Sequence, residues 1–338
     1  MAQQESNGHK RLQDESLKAE QSGYVVGADI GGTSLRLALA DLSGNILARS
    51  STSTVGIRDA ALIVSLIRDG VESLLKELAL PLDSVRAIAA GAPGITDPVE
   101  GVVIATSYLM GWRNVPLRVL LEEALGVPAA VDNDVNLAAL GESQAGAAKG
   151  VDNFVFIAIG TGIGAGIVLN GQLFRGNGWS AGEIGYMLVP GISEQPAERN
   201  KPGALEEVAG GEGAKVQWRT RWDQSKTSLS KDAVASEIFD HAVDGNPLAQ
   251  EVLELSARTL AYAIYNIWLV LNCDLFVLGG SVGLHPALRD ATHKFLAARS
   301  IRVEPRLISS SLGQDAQLMG AIFLAVDTAK TRSLVVTP

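Results

Sequence analysis

The feature that most constrains this chain is a pattern written twice. Val25 to Ser50 reads VVGADIGGTSLRLALADLSGNILARS, and Phe154 to Gly176 reads FVFIAIGTGIGAGIVLNGQLFRG. Each is an apolar strand, a glycine turn, a second strand, an Asn/Gly turn and a third strand. Ile30-Gly31-Gly32-Thr33 falls over Ile159-Gly160-Thr161-Gly162, with the second hairpin slightly shorter. Two copies of one unit predict two similar domains facing each other across a cleft. Between and after them, helical spacing is expected in DAALIVSLIRDGVESLLKELAL, PLRVLLEEALG and VNLAALGESQAG, at 231–244 and 247–272, and in DAQLMGAIFLAVDTA. VRAIAAGAPG, GVVIAT, PAAVDND, CDLFVLGG and IRVEPRLISSSLG read as strands, whereas 190–203, with three prolines, reads as an irregular loop. Alternation of strands and helices places the chain in the α/β class.

Glycine turns directly after buried strands let backbone N–H groups crowd an anion, because no Cβ blocks the approach. Three such turns are present: DIGGTS (29–34), IGTGIGAG (159–166) and LGGSVG (278–283). No GxxxxGK[ST] phosphate loop occurs. GTGIGA at 160–165 fits the looser dinucleotide fingerprint, with Glu183 about 20 residues on, but that fingerprint needs a helix straight after the turn. Here GIVLNGQLF alternates and carries a hairpin signal, so the context excludes it. Asp29, at the end of an apolar strand beside Gly-Gly-Thr, is placed to hold Mg²⁺ through water and so reach nucleotide phosphates. Thr33 and Thr161 offer hydroxyls and backbone donors to phosphate oxygens, the positioning that phosphoryl transfer chiefly needs.

Acidic residues also end apolar elements: Asp132 and Asp134 around Asn133, Glu183 in SAGEIGYMLV, and Glu206 in PGALEEVAGG. Carboxylates accept sugar hydroxyls well, and transfer to a hydroxyl needs a base within hydrogen-bond reach. The net charge of −9 argues against a nucleic-acid backbone as partner. A single Cys273 excludes a disulfide framework and a cysteine zinc cluster. Residues 1–23 are polar and mixed in charge, are expected to form a disordered tail, and contain no signal-peptide apolar region. With no run of 18 apolar residues, no membrane span is expected and the chain reads as cytoplasmic.

Taken in order, DIGGTSLRLAL, GAPGITDPVEGVV, GWRNVPLRVLLEEALGVP, VDNDVNLAALGE, GTGIGAGIVLNGQLFRGNGWSAGEIGY, GALEEVAGG, VLGGSVG and SLGQDAQLMGA resemble the sugar kinases of the ROK family, in the actin/hexokinase-like superfamily. The resemblance spans about residues 24 to 325. It implies two actin-like (ribonuclease H-like) lobes, each a mixed sheet with flanking helices, around a central cleft. The lobes are expected over 24–132, with helix 315–329 packing back on it, and over 133–314. It implies Asp134 as general base, Asn133 as a sugar ligand, and Gly91 in a GAPG loop lining the sugar pocket. Glu183 and Glu206 match sugar-binding acids. Asp29 and Gly31, Gly32 and Thr33 match the first phosphate segment, Gly160, Thr161 and Gly162 the second, and Gly279 and Gly280 the adenosine-side turn. Asp132 is left as a strand-end residue, solvated or capping locally.

Departures from the family pattern bear on the substrate. Tyr186 stands where the family usually has a His, and ISEQPAERNKPGA replaces its cysteine-rich zinc stretch, so no zinc is expected. Tyr186 either offers a hydroxyl to the sugar or is a plain core aromatic, and Tyr108 replaces a common Asn. The implied activity is Mg-ATP-dependent phosphorylation of a hexose hydroxyl, glucose to glucose 6-phosphate first, in a homodimer or homotetramer. N-acetylhexosamine, mannose or fructose as acceptor, polyphosphate as donor, a non-catalytic sugar-binding sensor and a DNA-binding repressor are the alternatives.

Overall fold

Each copy of the repeat folds into the first three strands of a five-stranded sheet, and the two sheets share one strand order. The structure is a computed structural model, and it describes residues 23–106, 109, 111–191, 202–299 and 304–333. The expected disordered tail, Tyr108 and most of the 190–203 loop lie outside those residues. The chain divides into one unit of the residues up to Asp134 with those from Leu318 onward, and a second of Val135–Gln317.

In the first unit, β1 (Tyr24–Ile30), β2 (Ser34–Asp41) and β3 (Ile46–Ser53) form the antiparallel meander. Asp41 closes its second turn, its Oδ1 accepting from the N–H groups of Ser43 and Asn45, both at 2.9 Å. Helix α1 (Ala60–Glu77) then leads to β4 (Val85–Ala92). Asp59 caps α1, its carboxylate accepting from the Ala61 N–H at 2.8 Å. Three short strands follow, β5 (Ile95–Asp97), β6 (Val102–Ala105) and β7 (Arg113–Val115), as a separate antiparallel sheet. Only β6 was expected from the sequence, because strands of three residues carry too little alternation to register. Helix α2 (Leu117–Leu125) and β8 (Ala129–Asn133) complete the unit's main sheet, in the order β3-β2-β1-β4-β8. β4 runs parallel to both β1 and β8.

Strand alternation sorts this sheet's two faces. Val26, Ala28 and Ile30 of β1 pack with Ile63, Ile67 and Val71 of α1 and with Leu117 and Leu121 of α2. Val25 faces the other way, into a cluster with Leu318, Ile322, Ala325 and Val326 of the chain's last helix. Each fully buried Ile or Leu in such a cluster contributes roughly 1.5–3 kcal/mol.

Helix α3 (Asp134–Ala145) enters the second unit after its first residue, and that unit repeats the meander as β9 (Phe154–Ile159), β10 (Ile163–Leu169) and β11 (Gln172–Leu173). Its hairpin turns through Asn170 and Gly171, both left-handed at φ 53° and 74°. Helices α4 (Glu206–Ala209), α5 (Gly211–Arg221), α6 (Ala235–Val243) and α7 (Pro247–Leu271) follow, then β12 (Leu275–Gly279), α8 (Gly280–Gly283), α9 (Pro286–Ala297) and β13 (Arg306–Ser309), before α10 (Ala316–Ser333) returns from Leu318 to the first unit. The sheet order is β11-β10-β9-β12-β13, strand for strand that of the first unit. Helix α3 presses on β10 at Gly166, where a Cβ would sit 2.6 Å from the Ala139 methyl and 2.7 Å from the Val135 carbonyl oxygen.

Three expectations are corrected here. Helix α6 begins at Ala235, not 231, because the Glu237 carboxylate accepts the Val234 N–H at 2.9 Å and starts the helix there. Helix α5 was not expected at all. Gly211 and Gly213 lower its propensity, and buried Trp218, donating its indole N–H to the Ser230 carbonyl at 2.9 Å, overrides that. The strand expected over 301–313 is ordered as β13 only from Arg306 to Ser309 among the described residues. Cys273, just after α7, is 2% exposed, and burial pushes its thiol up to about 11. Among the described residues, no helix is long and apolar enough to cross a membrane.

Candidate active site

In the first unit, register assembles three motifs that are far apart in sequence. Asp29 pairs with Gly91, Gly91 with Asp132, and Ala92 with Asn133, across the parallel strands β1, β4 and β8. DIGGT, GAPG and DND therefore meet at the carboxyl ends of adjacent parallel strands, where open α/β sheets bind ligands. Asn133 ties two of them directly, its Nδ2 donating to the Gly94 carbonyl at 2.9 Å. Gly94 adopts φ 95°, and a Cβ there would lie 2.3 Å from the Ala105 carbonyl oxygen, so only glycine fits this bend. Asp134 is the first residue of α3 and half-buried, where the helix dipole favours a carboxylate.

Of the two roles expected for Asp132, the structure shows the local cap: it is 1% exposed, not solvated, and its Oδ1 accepts the Asn133 N–H at 2.8 Å. A buried carboxylate held by the next residue's backbone fixes how the strand turns into α3.

The first glycine turn is braced from β3. Thr54 donates its hydroxyl to the Gly31 carbonyl at 2.9 Å and its N–H to Thr33 at 3.1 Å, while Gly32 and Thr33 stay exposed at the tip. Behind the turn, Arg36 of β2 stands opposite Asp29 in register and donates Nε and Nη2 to its Oδ2, at 2.9 and 2.6 Å. Burial raises the Asp29 pKa, and the Arg36 guanidinium works against that rise. Arg36 was not singled out in the sequence, though counting across the hairpin from Ile30 and Leu35 places it beside Asp29. Mg²⁺ takes one or two carboxylates with water and substrate phosphates; Asp29 would offer one such carboxylate, with its Oδ2 already paired with Arg36. Among the described residues no group of three or more His, Cys, Asp or Glu side chains gathers to hold a metal alone.

In the second unit the glycine turns also converge. β9 and β12 are adjacent and parallel, with Ala158 paired to Gly279, so Gly160, Thr161 and Gly162 emerge beside Gly279 and Gly280. Gly160 closes its turn by donating its N–H to Gly162 at 2.9 Å, and Thr161 is exposed. The amino end of α5 joins them: Gly211 donates its N–H to the Gly160 carbonyl at 2.8 Å, and Glu212 to Thr161 at 3.3 Å. This third participant was missed by sequence reading. Its signal is the GGEG string, whose Gly211 has no room for a Cβ (2.6 Å from the Gly160 carbonyl). The two strand-end turns, 160–162 and 279–280, carry glycines and the Thr161 hydroxyl and no carboxylate, whereas α5 brings Glu212.

Glu183, Tyr186 and Glu206 form an acidic group in the same unit. Glu206 accepts the Ile163 N–H on Oε2 at 2.9 Å, which anchors it to the start of β10. Glu183 keeps an exposed surface although protein atoms crowd around it. This crowding, and then the Glu206 charge, raise its pKa. Glu206 is itself raised by burial, partly offset by the Ile163 N–H. The Tyr186 hydroxyl is pushed up by burial and by both carboxylates, while the residue remains 46% exposed. Two carboxyl groups beside a phenol make a set of hydrogen-bond partners for hydroxyl groups.

Buried Glu142, the last residue of VDNDVNLAALGE, was also not singled out. Its Oε1 accepts the Ser310 hydroxyl and, at 3.2 Å, the Leu312 N–H, while Oε2 accepts the Ala147 N–H at 2.6 Å. It thus pins the carboxyl end of α3.

Comparison with known proteins agrees with this architecture. The family model described as ROK family matches residues 25–328. A glucokinase of Halalkalibacterium halodurans is 34% identical over 77% of this chain and 80% of its own length. An N-acetylmannosamine kinase of Escherichia coli is 31% identical over 88% of this chain and 97% of its own. The crystal structure of a ROK family glucokinase from Streptomyces griseus, in complex with glucose and AMPPNP, superposes with a TM-score of 0.77 at 27% identity, covering 90% of this chain and 100% of that one. The chain belongs to the ROK family.

Proposed function

We propose that this protein is an ATP-dependent sugar kinase that phosphorylates a hexose hydroxyl, with glucose as its first-choice acceptor. The observation that carries the reading is the Asn133–Gly94 bond at the carboxyl ends of β4 and β8, which holds Asn133-Asp134 against the GAPG loop. In this reading Asp134 accepts the proton of the attacking hydroxyl as its oxygen bonds to the γ-phosphorus and ADP leaves. Asn133 orients that hydroxyl, and Glu183, Glu206 and Tyr186 bind the remaining hydroxyls. The turns at Gly31–Thr33, Gly160–Gly162 and Gly279–Gly280 donate N–H groups to the nucleotide. Mg²⁺ arriving with ATP supplies charge neutralisation at the phosphates, with Asp29 as its carboxylate partner.

The relatives support a sugar kinase and leave the acceptor open, since one is a glucokinase and another an N-acetylmannosamine kinase. The test is ADP release from Mg-ATP across a panel of hexoses and N-acetylhexosamines, with Asp134→Ala alongside. The variant is expected to lose about 10²-fold or more in kcat while keeping most of its sugar affinity. Wild-type turnover in that variant would remove Asp134 as base. Sugar binding without turnover by the unaltered protein would make it a sensor instead.

A further inference from the structure

The loop that delivers Glu183 is wound through the left-handed region four times in seven residues. Gly176, Gly178 and Gly182 take φ values of 67°, 87° and 96°, which glycine adopts without cost. Trp179, at φ 65°, does so as a bulky aromatic residue and is strained. The loop cannot easily relax. The Ala181 N–H donates to the Arg175 carbonyl at 3.2 Å, and the Ala165 N–H of β10 donates to the Gly182 carbonyl at 2.8 Å. A Cβ on Gly182 would fall on the Ala165 carbonyl oxygen, so the loop lies hard against the strand.

The chain has five tryptophans, and the other four account for their rings. Trp112, Trp218 and Trp222 donate their indole N–H to the carbonyls of Arg58, Ser230 and Leu229, at 3.1, 2.9 and 2.9 Å. Trp268 packs on Tyr265 with ring centroids 6.1 Å apart. Trp179, half-buried, has neither a hydrogen bond nor a ring partner among the described residues. A strained backbone that holds an unpartnered aromatic four residues before a sugar-binding acid points to a ligand. Glycine at 179 would relieve the backbone strain, at the loss of whatever the half-buried ring packs against.

We infer that Trp179 is a specificity-determining residue whose indole face stacks on the apolar C–H face of a pyranose ring, while Glu183 and Glu206 accept hydroxyls at the ring's edge. This rests on the sugar-kinase reading above. An aromatic face recognises a pyranose through its axial C–H bonds, so it selects a six-membered ring whose C–H face is uninterrupted. It discriminates against acyclic polyols and furanoses that offer the same hydroxyls.

The experiment compares wild type, Trp179→Gly and Trp179→Phe by sugar calorimetry, steady-state kinetics and thermal melting. Trp179→Gly is expected to raise both Kd and KM for the best pyranose about tenfold or more, with kcat and the KM for ATP within about twofold, and to melt at a higher temperature. Trp179→Phe is expected to keep sugar affinity within about threefold, because it preserves a stacking face. Unchanged sugar affinity in Trp179→Gly overturns the inference and leaves the kinase reading standing. A variant that melts lower and loses sugar and ATP handling together shows a structural role, and overturns it too. If the wild type neither binds nor phosphorylates any hexose, the kinase reading fails, and this inference with it.

Discussion

The two sheets share one topology and carry opposite chemistry at their ligand-binding ends. In the first unit the strand ends hold Asp29, Asp132 and Asp134. At the matching positions of the second, β9 carries Ala158 where β1 carries Asp29, and Gly164 where β2 carries Arg36. The ion pair of one copy is thus replaced by two small neutral residues in the other. On the reading proposed above, a duplicated scaffold has been divided: the first copy adds carboxylates for proton and cation work to its glycine turn, and the second keeps only glycine turns at its strand ends. The acids of the second unit lie off this edge, on a loop after β11 and at the start of α4.

Four substitutions would break or sharpen that division. The largest effect is expected at Gly280, where φ is 79° and a Cβ would sit 2.5 Å from the Ile159 carbonyl oxygen. Gly280→Ala should destabilise the protein by roughly 1–3 kcal/mol, read by chemical denaturation, and raise the KM for ATP more than that for sugar. An equal rise in both would deny the second sheet its nucleotide role.

A smaller effect is expected from Asp29→Asn, which should lower kcat about tenfold and raise the Mg²⁺ needed for half-maximal rate. Arg36→Ala removes the group that opposes the burial-driven rise of the Asp29 pKa. The acid limb of its pH–rate profile should therefore move to higher pH. A profile unchanged by Arg36→Ala would detach Asp29 from catalysis.

The smallest effect concerns stability. Glu183 has a folded-state pKa above its ordinary value, through burial and the Glu206 charge. Such a group favours the folded state while protonated and loses that contribution as pH rises through the raised pKa. Glu183→Gln should therefore melt slightly higher than wild type at neutral pH, and the gap should close on acidification below the ordinary carboxylate range. Sugar affinity should fall in the same variant, since Gln accepts less strongly than a carboxylate. Wild-type sugar affinity, measured by calorimetry, would take Glu183 out of the site.

Much of this arrangement was legible in the sequence, for physical reasons that differ by element. The twofold repeat showed because strand, glycine turn and hairpin each leave a local signature, and the DIGGT and IGTG turns align without any knowledge of contacts. Helix α5 stayed hidden because its stability comes from burying Trp218 rather than from its glycine-rich start. Two acids flanking one Asn cannot be ranked by local pattern. Only the paired strands around β8 reveal that Asp132 is enclosed while Asp134 opens a helix. Strain at Trp179 is likewise invisible in a string, since a tryptophan after Gly-Asn-Gly carries no sign of its φ.

The lone thiol has a practical consequence. With Cys273 buried and its pKa near 11, only about one thiol in 10⁴ is ionised at neutral pH, so alkylating reagents will scarcely touch the native protein. The chain is chemically a cysteine-free background as it stands. One cysteine engineered at an exposed position such as Thr33 or Thr161 can be given a spectroscopic label alone, with no native residue first replaced. Each of the two glycine turns can then report separately when sugar or nucleotide is added.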